Sequence, residues 1–307
     1  MKFQSICYAL GERSNNADDL SATIDISIIN KIEEKSGIIN RRICADHESA
    51  VTLAKKLFDD VSNKESIKQA DLIIVVSESK EAAIPPISSH ILADFGLLEG
   101  KIVLDLDSGC AGYVQALQMT DAFFKNPLIK KAVIITTDAY SKFINLNDRS
   151  VAPIFGDGAS ITVMINDGFE SIKASNNGTD PSKYKHLEIQ SDNNYSLKMA
   201  GAEIFMFVKA FIPQSIRSCL KEGKNSIEEI DYFFLHQASS LVIEVLRKDL
   251  QISNEITPFC IASTGNLVST SIPFMLSDYL DKIKGKRIVL SGFGVGLTWA
   301  TVLMELA

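Results

Sequence analysis

Short apolar runs recur along this 307-residue chain, and longer stretches with helical spacing of apolar residues lie between them. The apolar runs predict buried strands at 70–79, 101–107, 131–139, 160–167, 230–236, 287–294 and 299–306. The longer stretches predict amphipathic helices at 48–61, 110–124, 201–220 and 239–250. Strands that alternate with helices over such lengths predict an α/β fold around a largely buried sheet.

Two patterns occur twice, in the same order. Residues 101–119 and 230–248 both combine a strand, a few small or polar residues, and a helix with an apolar stripe. Residues 155–165 and 292–304 both combine a glycine-spaced turn with a strand. A tandem duplication of one α/β unit explains this order, so the sequence predicts two similar halves.

The boundary between these halves is expected near the most polar connection, 173–198, which is rich in Ser, Asn, Asp and Lys. We therefore place an N-terminal half at 1–170 and a C-terminal half at 171–307. The polar stretch can also be a surface excursion rather than the connection itself.

The uncharged segment 288–304 raises the alternative of a membrane anchor. It falls short of the roughly 18–20 apolar residues that a span requires, and glycines, threonines and a serine interrupt it. Two buried strands joined by a glycine turn fit it better. The N-terminal residues show no secretory signal pattern, so we expect no membrane association.

Charge and cysteine usage narrow the possible classes of protein. The formal net charge of −7 argues against a nucleic-acid surface, which needs clustered Lys and Arg. The five cysteines include no C-x-x-C pair, and the four histidines lack the spacing of metal ligands. A disulfide framework or zinc site is therefore not indicated, and we expect a reducing, cytoplasmic environment.

Three polar side chains at the ends of predicted elements could carry chemistry: Cys110, His236 and Asn266. Cys110 begins a predicted helix, where unpaired backbone N–H groups would favour the thiolate and lower its pKa. Each residue also has a purely structural interpretation, as a packed thiol, a capping imidazole and a turn-forming amide. Together they supply a nucleophile and two hydrogen-bond donors for thiolate acyl transfer.

The chain order Cys, His, Asn also occurs in papain-like cysteine hydrolases. That family places its cysteine in a C-G-S-C-W-like context near the mature N-terminus, commonly in secreted chains with disulfides. Cys110 instead follows a predicted buried strand in a chain without secretory features. We therefore regard the hydrolase as a minor alternative.

Several ordered motifs resemble those of β-ketoacyl-acyl-carrier-protein synthase III, a family of the thiolase superfamily. They are SGIINRRI, DLDSGCAGYVQAL, DRSVAPIFGDGAS, KMAGAEIFMFV, FLHQASSLVIEVL, TGNLVSTSIPFML and GFGVGLTWATVLMEL. They extend over nearly the whole chain. The resemblance implies a thiolase fold, five-layered αβαβα from two similar halves, and a homodimer that completes the acyl pocket.

The resemblance also implies a reaction and roles for residues. Cys110 corresponds to the nucleophile that takes an acyl group from acyl-coenzyme A, and His236 and Asn266 to the pair that stabilises the enolate of malonyl-acyl carrier protein. Backbone N–H groups of Cys110 and of Val295, in the GFGVG loop, would hold the thioester oxyanion. The phosphopantetheine-linked carrier protein is a substrate, and no metal or redox cofactor is implied.

The sequence departs from the family pattern at several positions. Lys31 and Lys35 stand where the family commonly has a tryptophan and an arginine near coenzyme A. Ser263 stands in place of an arginine linked to carrier docking, Val295 in place of a glycine, and Ile84 in place of a phenylalanine at the primer pocket. These departures are either drift or a changed donor or carrier, as in a relative that serves a specialised pathway.

The candidate substrate-binding residues follow from the same resemblance. They are Lys35, Ile84, Arg149, Arg247 and Lys248.

Two other functions stay open on the sequence alone. One is a thiolase-fold acyltransferase that passes the acyl group to an amine or hydroxyl without condensation. Asn266 argues against it, since activation of a hydroxyl favours a carboxylate behind the histidine. The other is a non-catalytic partner subunit, which would have no need of Cys110, His236 and Asn266 together.

Overall fold

The computed structural model describes residues 1–96, 99–190 and 195–306. Its strands are β1 (Lys2–Leu10), β2 (Arg13–Asn16), β3 (Asn40–Ile43), β4 (Leu72–Val76), β5 (Ile102–Leu106), β6 (Lys131–Asp138), β7 (Gly158–Ile165), β8 (Ile172–Thr179), β9 (Leu187–Gln190), β10 (Ser196–Met199), β11 (Tyr232–Leu235), β12 (Arg287–Gly294) and β13 (Thr298–Glu305). Its α-helices are α1 (Ala17–Leu20), α2 (Ile26–Ser36), α3 (Ala50–Lys56), α4 (Val61–Gln69), α5 (Ile87–Leu92), α6 (Gly109–Phe124), α7 (Gly201–Glu222), α8 (Ser240–Leu250) and α9 (Ser271–Ser277).

The first main sheet has the strand order β1-β7-β6-β4-β5. Strand β4 is parallel to both β5 and β6, whereas β7 is antiparallel to β6 and β1. Every residue of β4 is buried, as expected for a parallel strand covered on both faces.

The second main sheet repeats this arrangement with the order β11-β12-β13-β8. Strand β11 is parallel to β12, and β13 is antiparallel to β12 and β8. On the free side of β11, the Phe233 N–H donates to the Ile256 carbonyl at 2.7 Å, so the chain near Ile256 takes the place that β5 has in the first sheet. The two halves predicted from the sequence therefore have the same topology.

Helices cover both sheets and separate them, which gives five layers. Helices α3 and α5 pack on the outer face of the first sheet, and α7 and α8 pack on the outer face of the second. Helices α6 and α9 share one apolar core with residues of β4 and β12 and lie between the sheets. This α/β architecture confirms the predicted αβαβα layering. The exact division at residues 170 and 171 stays a prediction.

The topology corrects one of the two internal repeats. Strand β11 occupies the place of β4, so α8 corresponds to α5, and the region of α9 corresponds to α6. The pairing of 101–119 with 230–248 is therefore wrong, because a strand, a polar turn and a helix occur in every unit of this fold. The pairing of 155–165 with 292–304 is confirmed, since both segments lead into the antiparallel strands β7 and β13.

Each predicted strand overlaps an observed one, but the polar stretch 173–198 is more than a connection. It holds most of β8 and the β9–β10 hairpin, while its residues 191–194 lie outside the described part of the chain. Strand β8 is an edge strand with many exposed side chains, so its sequence lacks an apolar run. The segment 288–304 forms β12 and β13, as predicted, and none of the described helices is long and apolar enough to cross a bilayer.

Candidate active site

Cys110 is the second residue of α6 and is only 5% exposed. The helix follows β5 directly, and its N-cap residue, Ser108, makes no side-chain hydrogen bond to the helix. Gly109 has φ +41°, a conformation that favours glycine, and it turns the chain from the strand end into the helix. The predicted strand-to-helix position of Cys110 is thus observed, at a helix N-terminus that the side chain of Ser108 does not cap.

Two glycines of β12 allow the start of α6 to lie directly on that strand. A Cβ atom on Gly292 would overlap the Cys110 carbonyl oxygen. A Cβ atom on Gly294 would lie 3.2 Å from the Cys110 Sγ. The last residues of β12 therefore lie directly against Cys110.

His236 lies against the same end of β12. It follows β11, and its backbone N–H donates to the Ser291 carbonyl at 2.8 Å. Its ring meets the ring of Phe293 edge-on, with 5.4 Å between centroids. Burial lowers the pKa of His236 to about 3, so the imidazole is neutral at pH 7. Its Nδ1 has no hydrogen-bond partner among the described residues.

Asn266 reaches the site from the segment before α9. Its backbone N–H donates to the Ile154 carbonyl at 2.9 Å, and its carbonyl accepts from the Gly156 N–H at 3.0 Å. Its side-chain Oδ1 accepts from the Val268 N–H at 2.9 Å. This bond orients the amide and leaves Nδ2 as the group that can donate to a ligand.

Val268 has φ +52°, which is strained for a β-branched residue, and such strain is typical of functional sites. An apolar cluster joins Val268 to the thiol. Its members are Cys110, Tyr140, Val151, Phe155, Leu187, Leu197 and Val268, with Val295 packed against them. The structure therefore brings Cys110, Val295 and the Asn266 segment together, and β12 connects them to His236.

The electrostatics at Cys110 contradict the prediction of a lowered pKa. Burial raises the pKa of the thiol well above its ordinary value, and the negative charges of Glu78 and Asp138 raise it further. The prediction considered only the N-terminus of α6, whereas the carboxylates come from the ends of β4 and β6. The resting thiol is consequently protonated at pH 7.

Two family models match this chain. One describes 3-oxoacyl-[acyl-carrier-protein] synthase III and matches residues 104–181, and the other describes the C-terminal part of the same enzyme and matches residues 220–306. The β-ketoacyl-[acyl-carrier-protein] synthase III of Lactococcus lactis is 31% identical, and that of Streptococcus gordonii is 30% identical, each over 99% of both chains. This chain belongs to the synthase III family.

The solved structure of the Thermus thermophilus synthase III is similar to this one, with a TM-score of 0.90 and 27% identity over 100% of this chain and 99% of that chain. The priming β-ketosynthase of the R1128 polyketide pathway shares the fold, with a TM-score of 0.87 and 23% identity. The resemblance inferred from the ordered motifs is confirmed, as are the thiolase fold and the acyltransferase class of this synthase III.

Four of the five candidate substrate-binding residues are exposed, and the fifth, Arg247, is half-buried. Ile84 is 85% exposed, in the loop after β4, so it does not line an enclosed pocket within the described part of this chain. Arg149, Lys248 and Lys35 are exposed, and the Lys35 carbonyl accepts from the Ser240 Oγ at 3.1 Å, which places α2 beside the start of α8. Arg247 donates to the Thr257 carbonyl within its own chain, which leaves it less available to a carrier protein.

Sequence reasoning missed three polar residues at the site of this synthase III: Glu78, Asp138 and Tyr140. Asp138 is fully buried and accepts from the Glu78 N–H at 2.9 Å and from Ser79 and Ser269. The Tyr140 hydroxyl donates to the Glu78 Oε2 at 2.5 Å. The available signal was an acidic residue at or near the end of each of two neighbouring parallel strands, because such strand ends meet at one edge of a sheet.

Proposed function

We propose that this chain condenses an acyl group with malonyl-acyl carrier protein to give a 3-oxoacyl-acyl carrier protein. Cys110 attacks the thioester of acyl-coenzyme A and becomes acylated, while coenzyme A leaves as the thiol. The backbone N–H groups of Cys110 and Val295 hold the oxyanion of this step. The N-cap residue Ser108 makes no side-chain hydrogen bond to α6, so its hydroxyl does not compete with the substrate for the Cys110 N–H.

Carbon–carbon bond formation follows when malonyl-acyl carrier protein enters and loses CO₂. The negative oxygen of the resulting enolate is stabilised by hydrogen bonds from the His236 ring and the Asn266 amide. The carbanion then attacks the Cys110 thioester, the bond between carbon and Sγ breaks, and the 3-oxoacyl product leaves.

One observation favours condensation over transfer to a hydroxyl or amine. The Nδ1 of His236 meets no carboxylate among the described residues, and the pKa of the ring is lowered to about 3. Activation of a hydroxyl needs a basic imidazole, commonly held by a carboxylate. A neutral imidazole beside an oriented amide suits an enolate instead.

The test is intact mass after the protein is mixed with a panel of acyl-coenzyme A esters, followed by a chase with malonyl-acyl carrier protein. Cys110→Ala should take no acyl group, while the matched variant Cys7→Ala should load as the wild type does. Loss of the acyl mass with release of CO₂ supports condensation. An acyl group that malonyl-acyl carrier protein cannot remove, or no loading by any ester, contradicts it.

The partner of the exposed strand β5 is proposed to be a second copy of this chain. Strand β5 ends the first sheet, and its outward-facing Val103 is 38% exposed, so an apolar edge stays open for pairing. In such a homodimer, Ile84 would be supplied to the acyl pocket of the other subunit. Sedimentation should show dimers for the wild type and monomers for Val103→Lys. The control Val61→Lys changes a residue on α4 that is 76% exposed, and it should still form dimers. Dimers of Val103→Lys would exclude this interface.

The remaining surface assignments are proposals of the same kind. Lys35, Arg149 and Lys248 are exposed cations that suit the phosphates of coenzyme A or of phosphopantetheine. We place the protein in the cytoplasm, because all five cysteines are free, as expected in a reducing compartment.

A further inference from the structure

The carboxyl group of Glu78 lies against the start of α6. A Cβ atom on Gly109 would be 2.5 Å from the Glu78 Oε2, so the carboxyl group lies directly against the backbone of residue 109. The Tyr140 hydroxyl holds the same oxygen from the other side at 2.5 Å. The carboxyl group is thus fixed beside the residue that precedes the nucleophile.

Acyl transfer requires an acceptor for the Cys110 proton, since burial keeps the resting thiol protonated. His236 is a poor acceptor, because burial lowers its pKa to about 3. Both oxygens of Asp138 are occupied by backbone and hydroxyl donors of residues 78, 79 and 269. Glu78 accepts a single hydrogen bond from the described residues, through Oε2, which leaves Oε1 free to take a proton.

We propose that Glu78 accepts the proton of Cys110 when the acyl-enzyme forms and delivers it to the departing thiolate. The bond between Cys110 Sγ and the acyl carbon forms, and the bond between that carbon and the donor sulfur breaks. The proton moves from Sγ to the carboxylate and then to the donor sulfur, with no change in oxidation state. The inference rests on the proposed role of Cys110 as nucleophile.

The physical reason for this transfer is that it leaves the net charge of the buried site unchanged. Loss of the Cys110 proton to water would add a negative charge beside those of Glu78 and Asp138, which is costly in a low dielectric. Transfer of the proton to Glu78 creates a thiolate while the net charge of the site is unchanged.

The surroundings of Glu78 give its carboxyl group a pKa that suits this exchange near neutral pH. Burial above all, and then the charges of Asp138 and Asp107, raise its pKa, whereas Tyr140 and Lys80 lower it, and the net result is a pKa of about 7. A base of this strength is matched to work at neutral pH.

The test is the pH dependence of Cys110 alkylation by iodoacetamide between pH 5.5 and 9.5, followed by peptide mass spectrometry. In the wild type, the rate should rise up to about pH 7 and then level off, because the internal proton exchange no longer depends on pH once Glu78 is ionised. In Glu78→Gln, the inflection should vanish and the rate should rise about tenfold per pH unit until the thiol itself ionises. Cys7 and Cys260 provide internal references in each sample.

Tyr140→Phe is the matched control, since it removes a hydrogen bond that lowers the pKa of Glu78 but keeps the carboxylate. Its inflection should move to higher pH. A merely structural role for Glu78 would leave the inflection in place in Glu78→Gln. If that variant does not fold, an unshifted profile in Tyr140→Phe overturns the proposal.

Loading with acyl-coenzyme A separates this inference from the proposed function. Glu78→Gln should form the acyl-enzyme about 10²- to 10⁴-fold more slowly than the wild type, the range typical of a lost general base. A wild-type protein that shows the alkylation inflection but accepts no acyl group would refute the proposed function and leave the proton exchange standing. A wild type that loads acyl groups without any inflection near pH 7 would overturn the role of Glu78.

Discussion

Equivalent strands of the two halves end in ionisable side chains of opposite type. Glu78 follows β4 in the first half, and His236 follows β11, the strand with the same neighbours, in the second. Burial raises the pKa of Glu78 to about 7 and lowers that of His236 to about 3. In both cases the neutral form is favoured, because removal from water penalises charge of either sign.

The difference between Glu78 and His236 matches the two proposed steps of the reaction, the loading of Cys110 and the condensation. The acid at the first strand end remains able to exchange a proton near pH 7, as the loading of Cys110 requires. The imidazole at the second strand end stays neutral and can only donate or accept a hydrogen bond, as the stabilisation of an enolate requires. In the proposed mechanism, the first half therefore supplies a proton acceptor for the thiol, and the second half supplies a fixed hydrogen-bond donor.

Among the substitutions that test this difference between the strand ends, His236→Gln is expected to have the largest effect. Loss of the ring donor should reduce condensation about 10²- to 10³-fold, the range found when one oxyanion donor is removed. Loading of Cys110 from acyl-coenzyme A should stay within a few fold of the wild-type rate. Single-turnover kinetics with intact-mass detection measures the two steps separately.

The pH dependence of the wild-type condensation step provides the control. Since the pKa of His236 is about 3, condensation from the preformed acyl-enzyme should show no histidine inflection between pH 5 and 8. A His236→Gln variant that loses loading as strongly as condensation would show that the two strand ends do not divide the steps.

The contributions of Glu78 and His236 to folding stability should change with pH in opposite directions. Glu78 has a folded pKa above its ordinary value, so its contribution to stability is full below about pH 4.5 and is lost as pH rises through about 7. His236 has a folded pKa below its ordinary value, so its contribution is full above about pH 6.5 and is lost as pH falls towards about 3.

Relative to the wild type, Glu78→Gln should therefore gain stability between pH 5 and pH 8, and His236→Gln should gain stability between pH 7 and pH 4.5. Each relative change should be on the order of 2 kcal/mol, since one pKa unit corresponds to about 1.4 kcal/mol. Urea unfolding at each pH measures them. Curves that run parallel to the wild-type curve would show that the folded pKa values of these groups are ordinary.

Local pattern in the sequence was sufficient to predict an α/β fold and the position of Cys110, and the ordered motifs were sufficient to identify the family, which implied the five layers. Apolar runs mark the buried strands, and the small residues around Cys110 mark the start of α6. Strands β1 and β8 were missed, since edge strands with exposed faces carry mixed residues that resemble loops.

The electrostatics of the site could not be predicted in the same way. The dipole of α6 is local to Cys110, but the burial of the thiol and the charges of Glu78 and Asp138 come from distant parts of the chain. Val268 next to Asn266 gave no signal either, since its positive φ results from packing rather than from residue type. Where several elements meet, local pattern does not determine the sign of a pKa shift.

The smallest expected effect concerns the N-terminal ends of helices α6 and α8. Ser239 caps α8 through a hydrogen bond from the Val242 N–H at 3.3 Å, whereas Ser108 makes no such bond at α6. Ser239→Ala should cost about 1 kcal/mol of stability and leave loading unchanged, because a lost N-cap typically costs this amount. Ser108→Ala should cost less than half as much, since no capping bond is lost. Urea midpoints at constant m-value compare the pair. An equal loss in both variants would mean that Ser108 caps α6 in solution, and its N–H groups would then be less available to the oxyanion.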